Sequence, residues 1–93
     1  MPMFVSENIA AGEIFYGKVY VVSPPHLMTI GVYSKIEDVT NDFMRLKKED
    51  DYYLFTKKID KKGKYKWVTY SEIYDKVKQK NITLNSEGFI IAY

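Results

Sequence analysis

The sequence predicts an α+β fold: a small antiparallel or mixed sheet of hairpins with two helices packed on one face, in the order β-β-α-β-β-α-β-β. Three observations predict it. Runs of β-branched and aromatic residues precede and follow a proline pair. A capped stripe of apolar residues at three- and four-residue spacing starts at Ser34. A clean two-residue alternation runs from Lys64 to Tyr70. Ninety-three residues hold one core, so 1–93 is read as a single domain.

Met3–Val5 has the composition of a short edge strand, and Ala10-Ala11-Gly12 reads as a loop. The run from Glu13 to Val22 reads as a strand. Ser23-Pro24-Pro25-His26 ends it, because proline donates no ladder bond and restricts the residue before it. Leu27–Tyr33 follows as the expected hairpin partner, with Gly31 marking a bulge or a close backbone approach. Ser34-Lys35-Ile36-Glu37 has the form of a capping box. Ile36, Val39, Phe43 and Leu46 then make one stripe, with acids near its start and bases near its end, which predicts the first helix.

After Glu49-Asp50-Asp51, Tyr52–Ile59 reads as a strand. Asp60-Lys61-Lys62-Gly63 reads as a turn returning the chain into Lys64–Tyr70. That strand alternates Tyr65, Trp67 and Thr69 with Lys64, Lys66 and Val68. A second helix is expected from about Ser71 to Lys80, burying Ile73 and Val77 and stopped by Asn81. Ile82–Leu84 and Phe89–Tyr93 complete a third hairpin, with the apolar end paired into the sheet or into a partner.

Composition excludes more than it assigns. Without cysteine there is no disulfide framework, thiolate nucleophile or sulfur-ligated zinc. His26 stands alone after two prolines and reads as a surface turn residue, not a catalytic base. Glu49-Asp50-Asp51 lacks the spacing of a calcium loop, and the five glycines are too scattered to cradle a phosphate. No cofactor and no metal are expected. No apolar run approaches a membrane span and the N-terminus lacks signal-peptide character, so the protein is expected to be cytoplasmic.

Two features point towards binding. Nine tyrosines, five phenylalanines and one tryptophan exceed what a core of this size needs. The net charge of +2 is concentrated: residues 57–66 hold six lysines and one acid, Asp60. The expected hairpin therefore sets Lys57, Lys58, Lys61, Lys62, Lys64 and Lys66 among Tyr52, Tyr53, Tyr65 and Trp67. Lysines beside stackable rings suit a single-stranded nucleic acid. Equally, rings facing the core with lysines facing water protect a sheet edge from aggregation. Both readings stand.

The stretch from Lys18 to Val22, then Thr29-Ile30-Gly31-Val32-Tyr33-Ser34-Lys35-Ile36-Glu37-Asp38-Val39, then Tyr52-Tyr53-Leu54-Phe55, is similar to small domains, many phage-encoded, with a strand, a strand ending Gly-Val-aromatic-Ser, a capped helix and a strand. The resemblance covers residues 18–56 and carries no functional residues. It implies a viral accessory protein, a class that acts by occluding a host protein. The leading expectation is thus a small non-enzymatic interaction protein, a viral inhibitor binding a host factor through these tyrosines and lysines, with a homodimer suited by the aromatic surplus. A nucleic-acid binder using the same hairpin and a binder of a nucleotide-like small molecule are the rivals.

Overall fold

The computed structural model describes residues 6–21 and 24–93. The expected edge strand at Met3–Val5, and Val22 and Ser23 at the end of the first long strand, lie outside the described residues. Within them the fold is all-β, with no helix. The strands are β1 (Ser6–Ile9), β2 (Ile14–Val19), β3 (Leu27–Ile36), β4 (Met44–Arg45), β5 (Lys47–Lys48), β6 (Tyr53–Lys58), β7 (Gly63–Asp75) and β8 (Lys80–Ala92). They form a five-stranded sheet ordered β1-β8-β7-β3-β4 and a three-stranded sheet ordered β2-β6-β5. The pair β1–β8 is parallel and the others are antiparallel.

The α+β expectation is therefore corrected, and both helices fail for identifiable reasons. In the first, the Ser34 hydroxyl does not cap. It accepts the indole N–H of Trp67, bonds the Thr69 hydroxyl at 2.9 Å and donates to the Val68 carbonyl at 3.1 Å. Ser34 lies inside β3, which pairs with β7 from Leu27 to Ile36. One turn of helix-like bonding survives, where the Val39 and Thr40 N–H groups both donate to the Ile36 carbonyl. The apolar stripe then splits: Ile36 and Leu46 enter the core, while Phe43 sits edge-on to Tyr70, 4.7 Å between centroids.

The second helix is overridden by the alternation that precedes it. Trp67, Thr69, Ser71, Ile73 and Asp75 are all buried, and the residues between them are less so. The period of two simply continues to Asp75. Four residues turn the chain, and β8 returns along the whole of β7. Asp75 closes this turn by accepting the Val77 and Lys78 N–H groups, each at 3.0 Å. Val77, expected in the helix core, is 75% exposed. The expected third hairpin is instead one continuous strand.

The expected hairpin pairings are also corrected. β2 pairs with β6, and β3 pairs with β4 and β7, so the two strands flanking the prolines belong to different sheets. Likewise β6 and β7 are not partners. The connection Ile59–Lys62 crosses between sheets, and Gly63 (φ +153°) opens β7 rather than closing a hairpin turn. The irregularity expected at Gly31 is present: the β3–β7 register shifts between Thr29 and Gly31. The apolar C-terminal end is paired, Phe89–Ala92 lying between β1 and β7.

The sheets face each other across one core. Phe15 from β2, Phe55 from β6 and Trp67 from β7 meet at its centre, with Phe15–Trp67 centroids 5.1 Å apart and Phe55–Trp67 6.2 Å. Val32, Ile36, Leu46, Ile59, Ile90 and Ala92 complete it. Leu46 is buried where the chain crosses from β4 to β5, and its N–H bonds the Val32 carbonyl at 2.8 Å. Gly17 is the seat of the indole: a Cβ there would lie 2.6 Å from Cζ2 of Trp67.

Candidate binding surface

Because the sequence-predicted hairpin does not exist as a strand pair, its residues separate. Trp67 is buried in the core, and Tyr53 and Tyr65 pack against it. Lys64 and Lys66 stand on the outer face of the five-stranded sheet, Lys64 over the Phe89 ring at 4.5 Å. Lys66 pairs with Glu87 at 2.7 Å, and the hydrogen bond and charge of Glu87 raise its pKa above 10.5. Tyr52 and Lys58 belong to the outer side of the three-stranded sheet. Lys57, Lys58 and Lys61 gather with Tyr65, Asp38 and Asp60 around a groove of about 310 Å³. The Tyr65 hydroxyl donates to the Lys61 carbonyl there at 2.7 Å. Lys62 is exposed in the crossing beside them.

The two outer sheet faces differ in how their rings are used. On the five-stranded sheet, Tyr33 and Tyr70 are cross-strand partners and stack on each other at 4.8 Å and 16°. Phe43 meets Tyr70 edge-on, Lys35 lies 4.8 Å from the Phe43 ring and Arg45 lies 5.9 Å from Tyr33. Burial is the main cause raising the Tyr70 pKa above 10.0, with Glu72 and Tyr33 adding to it. These rings cover the sheet and each other.

On the three-stranded sheet the rings are open. In β2, Phe15 and Gly17 point inward, so Ile14, Tyr16 and Lys18 point out, with Tyr20 just beyond the strand. Tyr16 is 59% exposed and Tyr20 is 50% exposed. Tyr20 meets Tyr52 at 5.8 Å, and Lys18 lies 4.9 Å from the Tyr52 ring. The ladders place Lys58 beside Ile14, Thr56 beside Tyr16, and Leu54 between Lys18 and Lys47. Carboxylates stand at the margins: Asp60 lies 3.6 Å from Lys58, Glu49 is bonded through its N–H to the Tyr52 carbonyl, and Glu13 accepts the Ala10 N–H.

Of this face, sequence reasoning named only Tyr52 and Lys58. It missed Tyr16, Lys18, Tyr20 and Lys47. The alternation of Ile14, Tyr16, Lys18 and Tyr20 against Phe15, Gly17, Val19 and Val21 was there to read, but with an aromatic in each set it does not say which faces water.

A wider groove of about 680 Å³ opens at one end of this sheet, lined in part by Tyr20, Leu27, Lys48, Asp50, Asp51 and Lys76. Its charges are of both signs, which gives it no preference for an anion. Among the described residues no three His, Asp or Glu side chains gather as a metal site would require. The chain matches no family model, no curated protein and no solved structure.

Proposed function

We propose that this protein is a small non-catalytic binding domain that holds its partner on the outer face of the three-stranded sheet. One contrast carries the reading: Tyr16 and Tyr20 stand open to solvent with Lys18 between them, whereas Tyr33, Tyr70 and Phe43 on the other sheet face pack on one another, with Phe43 still 37% exposed. A sheet face that needs no cover of its own and still displays large rings has the composition of a contact surface. Support for a non-catalytic role comes from His26. It is exposed in a turn, and Asp75, a carboxylate whose pKa its charge helps to lower, is already bonded to two backbone N–H groups.

The test is affinity capture from extract of the native cells by the wild type, by Tyr16→Ser/Tyr20→Ser, and by Lys64→Ser/Ile91→Ser on the opposite sheet. The expected result is a component retained by the wild type and by the opposite-face variant but lost by the tyrosine variant. Equal retention by all three would overturn the assignment of the face.

A further inference from the structure

We infer that the occupant of this face is a single-stranded nucleic acid, bound with little regard to base sequence; the inference rests on the binding face proposed above. The first argument is the kind of charge. Lysine is depleted from the cores of protein–protein interfaces, where its ammonium would have to be desolvated. Here Lys18 and Lys47 flank Leu54 in the middle of the face, and Lys58 stands at one end. A phosphate chain leaves such ammonium groups partly wet and gains from the counterions it releases. The acids Asp60, Glu49 and Glu13 stand at the margins, and Asp50 and Asp51 line the groove that Tyr20 borders at one end, so the anionic chain is matched by the stretch from Tyr16 to Lys18 and Lys47.

The second argument is spacing. Tyr16 lies in β2 and Tyr20 one residue past its end, four residues on, which at the rise of a strand is about 13 Å, with Lys18 midway. That is an alternation of ring, cation and ring, as a strand of unstacked bases joined by phosphates requires. Tyr52 widens the second ring position by packing against Tyr20. A duplex, whose bases already stack on one another, could use only the lysines and would bind more weakly.

The third argument concerns selectivity. Base edges are read by arginine or lysine on guanine, by asparagine or glutamine on adenine, by acids on cytosine and by serine or threonine on either, when those side chains are held rigidly against them. The residues on this face are Ile14, Tyr16, Lys18, Leu54, Thr56 and Lys58, with Lys47 and the Tyr20–Tyr52 pair. Thr56 and the tyrosine hydroxyls are the only neutral hydrogen-bonding side-chain groups among them. Stacking is tolerant of base identity, so composition and flexibility should matter more than sequence.

The test uses fluorescence anisotropy of the full chain with a short labelled oligothymidine, a mixed-sequence RNA of equal length and the matching DNA duplex, at several salt concentrations. Single strands should bind tighter than the duplex. If Lys18, Lys47 and Lys58 each neutralise one phosphate, log K should fall against log salt with a slope of about −2. Tyr16→Ala and Tyr20→Ala should each weaken binding on the order of 5- to 150-fold. Lys64→Ala, on the other sheet, should leave it within about twofold. Unchanged urea midpoints, followed by Trp67 fluorescence, would show that the tyrosine variants fold.

No binding of single strands at low salt, or binding insensitive to both tyrosine changes, would overturn the inference. If oligonucleotides fail to bind while nuclease-treated extract still yields a protein that Tyr16→Ser/Tyr20→Ser loses, the binding face stands and its nucleic-acid occupant falls.

Discussion

At the scale of single residues, two positions hold the architecture together. Gly17 is buried in β2, and Trp67 lies against it so closely that an added methyl would overlap Cζ2 and Cη2 of the indole at 2.6 and 2.7 Å. Both atoms belong to a ring wedged between Phe15 and Phe55, so it cannot simply move aside. Gly17→Ala should therefore destabilise the protein by about 1–3 kcal/mol, as overpacking does, and shift Trp67 emission. A urea midpoint and emission spectrum matching the wild type would contradict this packing. Asp75 is the second such residue. The Lys78 N–H is the main cause holding its carboxyl below 3.8; burial opposes it, while the Val77 N–H and the nearby His26 and Lys78 charges reinforce it. A depressed carboxylate contributes stability that is full above its unfolded pKa of about 3.9 and is lost as pH falls through the lower folded value. Asp75→Asn should accordingly lie below the wild type in stability at neutral pH, and the gap should close in strong acid. Parallel stability curves down to the acid limit would remove Asp75 from this role.

At the scale of elements, the segments that sequence pattern misassigns are those where short-range signals compete with strand pairing. Ser34-Lys35-Ile36-Glu37 is a sound local cap, and Ile36, Val39, Phe43 and Leu46 have helical spacing. Yet a serine inside a strand can instead satisfy a tryptophan and a threonine across the sheet, as Ser34 does. Ser71–Lys80 shows the opposite lesson. The two-residue alternation of Tyr65, Trp67 and Thr69 was legible, and it needed only to be continued through Ser71, Ile73 and Asp75. Polar residues at Ser71 and Asp75 disguise their burial, and Asp75 is held inside by the N–H groups it accepts in closing the turn, not by hydrophobicity. Strand existence was readable at β2, β3, β6 and the first half of β7, whereas partner choice was not. Nothing local in Asp60-Lys61-Lys62-Gly63 says that the chain crosses between sheets instead of folding back, so a basic hairpin was expected and its residues dispersed. A paired substitution distinguishes strand from helix here. Ile73→Ala removes a side chain only 1% exposed and should cost about 2–4 kcal/mol. Val77→Ser alters a residue in the exposed turn and should stay within about 0.5 kcal/mol. Comparable losses at both positions would instead match a helix burying Ile73 and Val77 on one stripe.

At the scale of the molecule, the long β7–β8 pair sets the shape. Thirteen residues of extended strand span about 43 Å, close to the longest dimension of 46 Å, and the three-stranded sheet covers the inner face that this hairpin and β3 present. The same plan makes most stabilising contacts distant in sequence. β1 pairs with the last strand, Ser6 opposite Phe89 and Ile9 opposite Ala92. The Ala11 N–H bonds the Tyr93 carbonyl at 2.8 Å, and the Tyr93 N–H bonds that of Ile9 at 3.0 Å. Closing such loops costs chain entropy before the core repays it, so the protein should refold in milliseconds to seconds rather than microseconds. Stopped-flow fluorescence is a direct monitor, because Trp67 is buried only once β2, β6 and β7 have met. Besides the short β5–β6 pair, closed by residues 49–52, the β7–β8 hairpin, closed by four residues from Lys76 to Gln79, can form locally, and Trp67 pairs with Gly88 near its middle. If that hairpin alone buried the indole, Ile14→Ala on the outer face of β2 would leave the fluorescence phase untouched and so would Phe15→Leu in the core. Since Phe15 contacts the indole edge-on from the other sheet, Phe15→Leu should slow the phase or lower its amplitude while Ile14→Ala does not. A microsecond phase carrying the full Trp67 signal in both variants would contradict a core assembled between the sheets.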